Sequence, residues 1–132
     1  MKYKLTEEYI EFKGVKLYRI EATADFGDVK IGCKGGYIQK ETNLSQYGDA
    51  WVCGDAKVCG NAKVCGDADY IVFKNWWSSG RWFTWTRSNN KWNVGCFYGS
   101  GEELVTKAYK DSEVSGREYE RIVRYVEGIL ND

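Results

Sequence analysis

Residues 48–69 read GDAWVCGDAKVCGNAKVCGDAD, a six-residue phrase repeated nearly four times. A six-residue period is neither the 3.6 of a helix nor the strict alternation of a half-buried strand. It is the period of a left-handed β-helix, where three short strands make one triangular coil. The phrase is Val-x-Gly-Asp/Asn-Ala-x. Val52, Val58 and Val64 hold one slot, and Ala50, Ala56, Ala62 and Ala68 hold another. Both slots are expected to point inward. The Ala slot extends back through Leu44 to Ile38, so the repeat starts before it becomes obvious. Gly48, Gly54, Gly60 and Gly66 occupy the corners, where a residue without Cβ turns the chain at little cost. The Asp or Asn after each of them suits a turn, because its side chain bonds turn backbone. Residues 36–70 then amount to about two coils. Two coils bury little by themselves, which predicts capping segments and self-association, as a trimer or hexamer.

The expected architecture is mainly β with C-terminal helices, in three parts: an N-terminal hairpin cap (1–35), hexapeptide-repeat coils (36–70), and an aromatic sheet with two helices (71–132). In the first part, Tyr9–Phe12 and Val15–Ile20 alternate around a Lys13-Gly14 turn. In the third, Tyr70–Phe73, Arg81–Arg87 and Trp92–Phe97 read as strands. A two-residue Asn89-Asn90 turn would pair Trp85 with Val94 and Phe83 with Cys96. That register puts Thr84, Thr86, Asn93, Trp82 and Phe97 on the opposite, polar face. Ser100–Glu103 and Ser115–Glu118 both have the spacing of a capping box. Tyr119, Ile122, Val126, Ile129 and Leu130 form an apolar stripe that would pack on the aromatic sheet or on another subunit.

Charge removes one class of function. Lys+Arg and Asp+Glu both count 19, whereas binding to long nucleic acid draws most of its affinity from a basic surface. No apolar stretch approaches the ~18 residues of a membrane span, and the charged N-terminus lacks a signal-peptide core. A cytoplasmic protein with no membrane partner is expected. The 5 Cys are an odd number without an export signal, which fits free thiols. Cys53, Cys59 and Cys65 are six apart and would sit near different corners of a triangle. With no CxxC pair and no His, no metal ligand set is expected.

No usual catalytic constellation is present: no phosphate loop ending in Lys-Ser/Thr, no GxSxG and no HExxH. Gly32-Cys33-Lys34-Gly35-Gly36 has some look of a phosphate loop, but its neighbours suit a turn entering the repeat. The expectation is a protein that is not an enzyme and needs no cofactor. What remains is binding. The segment 75–97 holds five of the 6 Trp together with three basic residues. Bases stack on aromatic side chains whatever their sequence, and Arg makes bidentate phosphate contacts. The candidate ligand-binding residues there are Trp76, Trp77, Arg81, Trp82, Phe83, Arg87 and Asn93. Lys57, Arg117 and Arg121 are candidates for charge. Helix N-termini at Ser100-Gly101 and Ser115-Gly116 would add N–H donors for an anion. Trp85 and Trp92 read as core, while Trp76, Trp77 and Trp82 are open to either role.

The run Asp25-Phe-Gly-Asp-Val-Lys, then Gly35-Gly-Tyr-Ile and Asn43-Leu-Ser-Gln, followed by the hexads, resembles small phage and prophage hexapeptide-repeat proteins. The tail Gly95-Cys-Phe-Tyr-Gly-Ser-Gly-Glu-Glu-Leu with its helices resembles a domain found in such proteins. The best-known enzymes with this repeat are acyltransferases, which generally use a His that this chain lacks. Among phage proteins of this layout, the chain is similar to the Thoeris anti-defence sponge group. That resemblance implies sequestration of a cyclic ADP-ribose isomer or cyclic oligonucleotide without cleavage. The competing expectation is a multimeric structural or adaptor phage protein, or a protein-binding inhibitor of a host system. It would show an exposed apolar patch without convergent cations.

Overall fold

The structure, a computed structural model, describes residues 1–12 and 14–131. Its first sheet starts from the alternating N-terminal segments. β1 (Tyr3–Phe12) and β2 (Val15–Ala22) pair antiparallel. Phe12 faces Val15 in the register, and Gly14 takes the left-handed φ of +79° that the tight turn requires. β3 (Lys34–Ile38) pairs antiparallel with β2, and the two-residue β4 (Lys57–Val58) pairs parallel with β3. The sheet order is β1-β2-β3-β4.

This corrects the expected left-handed β-helix. The molecule is built from two four-stranded sheets followed by two helices. Within 36–70 the regular strands are β3, β4 and the first residue of β5, and the hexads beyond Val58 are turns with one isolated parallel bridge, Leu44 to Val64. The physical reason lies in β2. Its free edge takes up β3 and draws the start of the repeat into a sheet with the hairpin. The inward slots nevertheless pack: Val52, Val58, Val64, Ile38, Leu44, Ala50, Ala56 and Ala62 share one core with Tyr3, Ile20 and Trp51. Ala68 is exposed, because the chain leaves the repeat there for the second sheet. Gly35 and Gly36 are needed at the contact. A Cβ on Gly35 would lie 2.4 Å from the Val52 carbonyl oxygen, and one on Gly36 would lie 2.5 Å from that of Ala56. Asn43 is fully buried and joins successive loops of the repeat. Its Nδ2 donates to the carbonyls of Gly60 and Ala62, while its Oδ1 accepts from the N–H groups of Gln39 and Lys40.

The second sheet is antiparallel, in the order β5 (Tyr70–Lys74), β6 (Trp82–Thr86), β7 (Lys91–Val94), β8 (Phe97–Gly99). Its register differs from the expected one by two residues: Trp85 faces Trp92 and Thr84 faces Asn93. The connection is a four-residue turn, Arg87–Asn90, closed by Asn90 N–H donating to the Arg87 carbonyl. Asn90 sits at φ +50° and accepts from the Trp85 indole, while Asn89 bonds the Thr86 hydroxyl. Both Asn side chains are thus spent on holding this longer turn. A shift of two keeps every side chain on its face and changes only its partner. The strand expected through Trp92–Phe97 is broken at Gly95-Cys96, where Gly95 at φ +55° turns the chain so that Val94 faces Phe97.

α1 (Gly101–Asp111) begins at the expected capping box, with Ser100 Oγ accepting from Glu103 N–H and Glu103 accepting from Ser100 N–H. α2 (Glu113–Leu130) begins earlier than expected. Its cap is Ser112, whose Oγ accepts from Ser115 N–H. Ser115 therefore lies inside the helix and accepts from the Trp77 indole instead. Tyr119, Ile122 and Val126 of the α2 stripe, joined by Val123, pack with Leu104, Val105 and Ala108 onto Phe83, Trp85 and Trp92, whereas Leu130 at the end of the stripe is exposed. No helix among the described residues is long and apolar enough to cross a membrane.

Candidate functional site

β6 carries side chains to two faces, and the two faces have different neighbours. Phe83 and Trp85 point at the helices and are core. Thr84 and Thr86 point toward the hexads and are buried. Their hydroxyl and amide neighbours complete the backbone hydrogen bonding of the repeat. Lys57 N–H donates to Thr84 Oγ1 at 3.1 Å, Asn93 Nδ2 donates to the Lys57 carbonyl at 3.3 Å, and Lys63 N–H donates to Ser88 Oγ at 2.7 Å. Cys53 N–H donates to the Tyr70 hydroxyl. A buried backbone donor or acceptor left without a partner is costly, so the repeat needs a polar surface laid against it. The polar face that suggests a ligand surface in the sequence is therefore an internal seam.

Trp82, at the start of β6, is the exception. It is 50% exposed and stands where the sheet meets the hexad corner. Three adjoining cavities share it. One, of about 340 Å³, is lined by Asp55, Lys57, Arg81, Trp82 and Gly95. A second, of about 330 Å³, runs from Trp82 to Val72 and Cys53–Asp55. A third, of about 300 Å³, extends past Arg81 and Gly95 to Ser79, Lys107 and Tyr119. Together they form a groove that meets at Trp82: the first two lie along the seam between the repeat and the second sheet, and the third lies between the second sheet and the helices. Lys74 places its ammonium 5.6 Å from the Trp82 ring centroid. Lys107 is shared with Asp111 at 3.1 Å. Neither the Arg81 guanidinium nor the Lys57 ammonium has a hydrogen-bond or ion-pair partner among the described residues. The Arg81 guanidinium passes close to Gly95, where an added Cβ would lie 3.3 Å from its Nη1, and Arg81 itself is exposed.

The groove brings together three of the candidate binding residues, Arg81, Trp82 and Lys57, with the edge of a fourth, Phe83. The others lie elsewhere. Phe83 is otherwise core at 2% exposure, and Asn93 is spent on Lys57 and on accepting from the Cys59 thiol. Burial pushes the Cys59 thiol up, against the hydrogen bonds of Asn93 and Tyr98, which favours the protonated, unreactive form. Trp77 packs on Tyr119 with ring centroids 4.8 Å apart. Trp76 is exposed beside it and does not line the groove. Arg87 donates to the Ala68 carbonyl and lies over Trp85. Arg121 pairs with Glu118 at 2.7 Å on α2, and Arg117 is exposed on the same helix. At the helix starts, Ser100 caps α1, whereas Ser115 lies inside α2, whose N-cap is Ser112. Sequence reasoning did not single out Asp55, Lys74, Gly95 and Lys107. Gly95 had a signal, a glycine within an apolar strand pattern, which marks a bend or a close approach. All five cysteines are free, and no group of three or more metal-ligating side chains occurs among the described residues.

No protein-family model matches the chain. A stretch of 59 residues is 42% identical to an uncharacterized acetyltransferase, YdcK, of Escherichia coli (strain K12). The match covers 39% of this chain and 18% of that protein, so the chain spans less than a fifth of the relative's length. It is compatible with kinship to hexapeptide-repeat proteins. It also overturns the expectation that the protein is not an enzyme, since the matched relative is named as one.

Proposed function

We propose that the protein binds a small nucleotide-type anion in the groove over Trp82. In this reading the base or another planar ring stacks on the exposed indole, and the phosphate meets Arg81 and Lys57. The observation that carries it is the Arg81 guanidinium, unpaired among the described residues and set beside a half-exposed Trp82. Charged side chains in a folded protein ordinarily find partners or point into bulk water. Arg81 is exposed, and it lines a concave site whose walls include Trp82, Phe83 and Tyr119. Stacking on an aromatic side chain contributes about 1–3 kcal/mol per base. A hydrogen bond to a charged group contributes about 1.5–3 kcal/mol.

Two uses of such binding are consistent with the chain's likenesses. One is sequestration of a cyclic ADP-ribose isomer or cyclic oligonucleotide, which the resemblance to phage sponge proteins implies. The other is acetyl transfer from a nucleotide-bearing donor, which the 59-residue match to an acetyltransferase favours. Calorimetry of the purified chain with cyclic ADP-ribose isomers, cyclic di- and trinucleotides and acetyl-coenzyme A separates them. Binding of a cyclic nucleotide that is recovered unchanged supports sequestration. Binding of acetyl-coenzyme A, with release of the coenzyme A thiol and recovery of the acetyl group on an added amine or hydroxyl acceptor, supports transfer. In either case Arg81→Ala and Trp82→Ala are each expected to weaken binding about tenfold or more, with thermal stability little changed. No binding across the panel would overturn the proposal. The exposed aromatics Trp76 and Tyr125 would then become the surface to test for a protein partner.

A further inference from the structure

One wall of the groove does not suit an anion. Asp55 lines two of its three cavities, together with Trp82. Its carboxylate is held from behind by Arg19, whose Nη2 lies 3.4 Å from Oδ1. Arg19 is itself fixed, donating to the Gly35 carbonyl and the Tyr37 hydroxyl, pairing with Glu8, and lying over the Tyr37 ring at 4.4 Å. Asp55 Oδ2 has no partner among the described residues, and the side chain is 64% exposed. The groove is thus polarised. Arg81 and Lys57 supply positive charge, and Asp55 supplies an exposed acceptor on the same wall of the repeat as Lys57. A phosphate beside Asp55 would be repelled. A ring edge carrying N–H donors would be attracted.

Resting on the nucleotide-binding reading above, we infer that Asp55 selects the base, and that the groove prefers a guanine-type ring, which among the ligands named there favours a guanine-bearing cyclic oligonucleotide over the adenine-bearing cyclic ADP-ribose isomers and acetyl-coenzyme A. Guanine presents N1–H and the exocyclic N2–H side by side, matching the two oxygens of a carboxylate. Oδ1 still has a lone pair free after accepting from Arg19. Adenine presents N6–H next to the N1 lone pair, which faces the carboxylate unfavourably. Hypoxanthine keeps N1–H and lacks the amine. The expected order of affinity is guanine, then hypoxanthine, then adenine, with the ring stacked on Trp82 in every case.

The test is calorimetry of the full chain with GMP, IMP and AMP, on the wild type, Asp55→Asn and Arg81→Ala. Asn is a mild change at this corner, because Asn61 fills the same slot one hexad later. The wild type is expected to bind GMP about tenfold or more tighter than AMP, a typical discrimination for a bidentate base contact. Asp55→Asn is expected to erase or invert that preference, since an amide pairs well with adenine. Arg81→Ala is expected to weaken all three nucleotides by a similar factor and leave their order intact. Equal wild-type affinity for GMP and AMP, or an unchanged preference in Asp55→Asn, overturns the role of Asp55 while nucleotide binding stands. Absence of binding by all three overturns the role of Asp55, and it overturns the nucleotide reading as well only if the cyclic nucleotides and acetyl-coenzyme A also fail to bind; an Arg81→Ala protein that binds as the wild type does overturns both.

Discussion

Trp82 and Trp85 are three residues apart on one strand and meet opposite environments. Trp85 is fully buried between Trp92 and the helices, whereas Trp82 emerges at the strand's start into a groove. Trp85→Ala is expected to cost about 3–5 kcal/mol, the usual penalty for truncating a buried aromatic. Trp82→Ala is expected to leave the urea midpoint nearly unmoved while binding is lost. Equal destabilisation by the two variants would show that Trp82 is a packing residue. Tyr3 offers a test by pH. Its hydroxyl donates to the Leu44 carbonyl at 2.6 Å, and burial, with the Glu41 carboxylate in second place, pushes its pKa up from 10.0 to about 12. A raised folded pKa means the stabilisation is complete below pH 10 and is lost as pH rises toward 12. Urea midpoints measured from pH 9 to 12 are expected to fall, and Tyr3→Phe is expected to make that fall shallower. Tyr98, Tyr109 and Tyr119 are shifted upward too and keep part of the slope.

At the level of elements, side-chain chemistry decided where strands and helices stop. The turn between β6 and β7 is four residues long because Asn89 and Asn90 bond Thr86 and Trp85, where a two-residue turn would have left these groups apart. The start of α2 was assigned by sequence to the wrong serine. Ser112 and Ser115 are three residues apart, and both precede a plausible first turn. The helix begins at the earlier one, which leaves Ser115 free for Trp77. Ser100→Ala and Ser112→Ala are each expected to lower stability by about 1 kcal/mol through loss of an N-cap. Ser115→Ala removes a bond to Trp77, so its effect is expected in Trp fluorescence as well as in the midpoint. A Ser115→Ala protein that loses helix content by circular dichroism would point to a capping role there. Gly36→Ala is expected to be strongly destabilising, because the Cβ would meet the Ala56 carbonyl. Gly128→Ala meets nothing within 4 Å and is expected to be neutral or slightly stabilising.

The whole molecule presents two large packed bodies of side chains, one around the hexads and one around the aromatic sheet and helices, with a smaller cluster of Leu17, Tyr37 and Cys59. The seam between them is polar, and the groove opens along it. Large apolar side chains remain outside, among them Tyr47 at 85% and Trp76 at 71% exposure. We propose self-association as the means of covering part of this surface, as a trimer or hexamer. Sedimentation velocity at micromolar concentration is expected to give a multiple of the 15.2 kDa chain. A 15.2 kDa species alone would show these side chains to be solvent-exposed in the working protein.

The hexad alone determined that the Val and Ala slots of 38–64 point inward, because a period of six holds them in constant positions; it did not single out Trp51, Cys59 or Asn43, which are buried as well. The N-terminal hairpin, the Ser100 cap and the α2 stripe were likewise local, written in alternation, spacing and a serine–glutamate pair. The architecture was not local. Whether the repeat closes on itself or joins a sheet depends on which edge pairs with β3, and that edge belongs to β2, which the repeat does not encode. The site was only partly legible for the same reason. Arg81, Trp82 and Lys57 carry visible chemistry, but Thr84 and Asn93 have equally polar side chains and lie buried in the seam. What separates them is the unpaired backbone of Lys57, a demand that exists only once the repeat and the sheet are face to face.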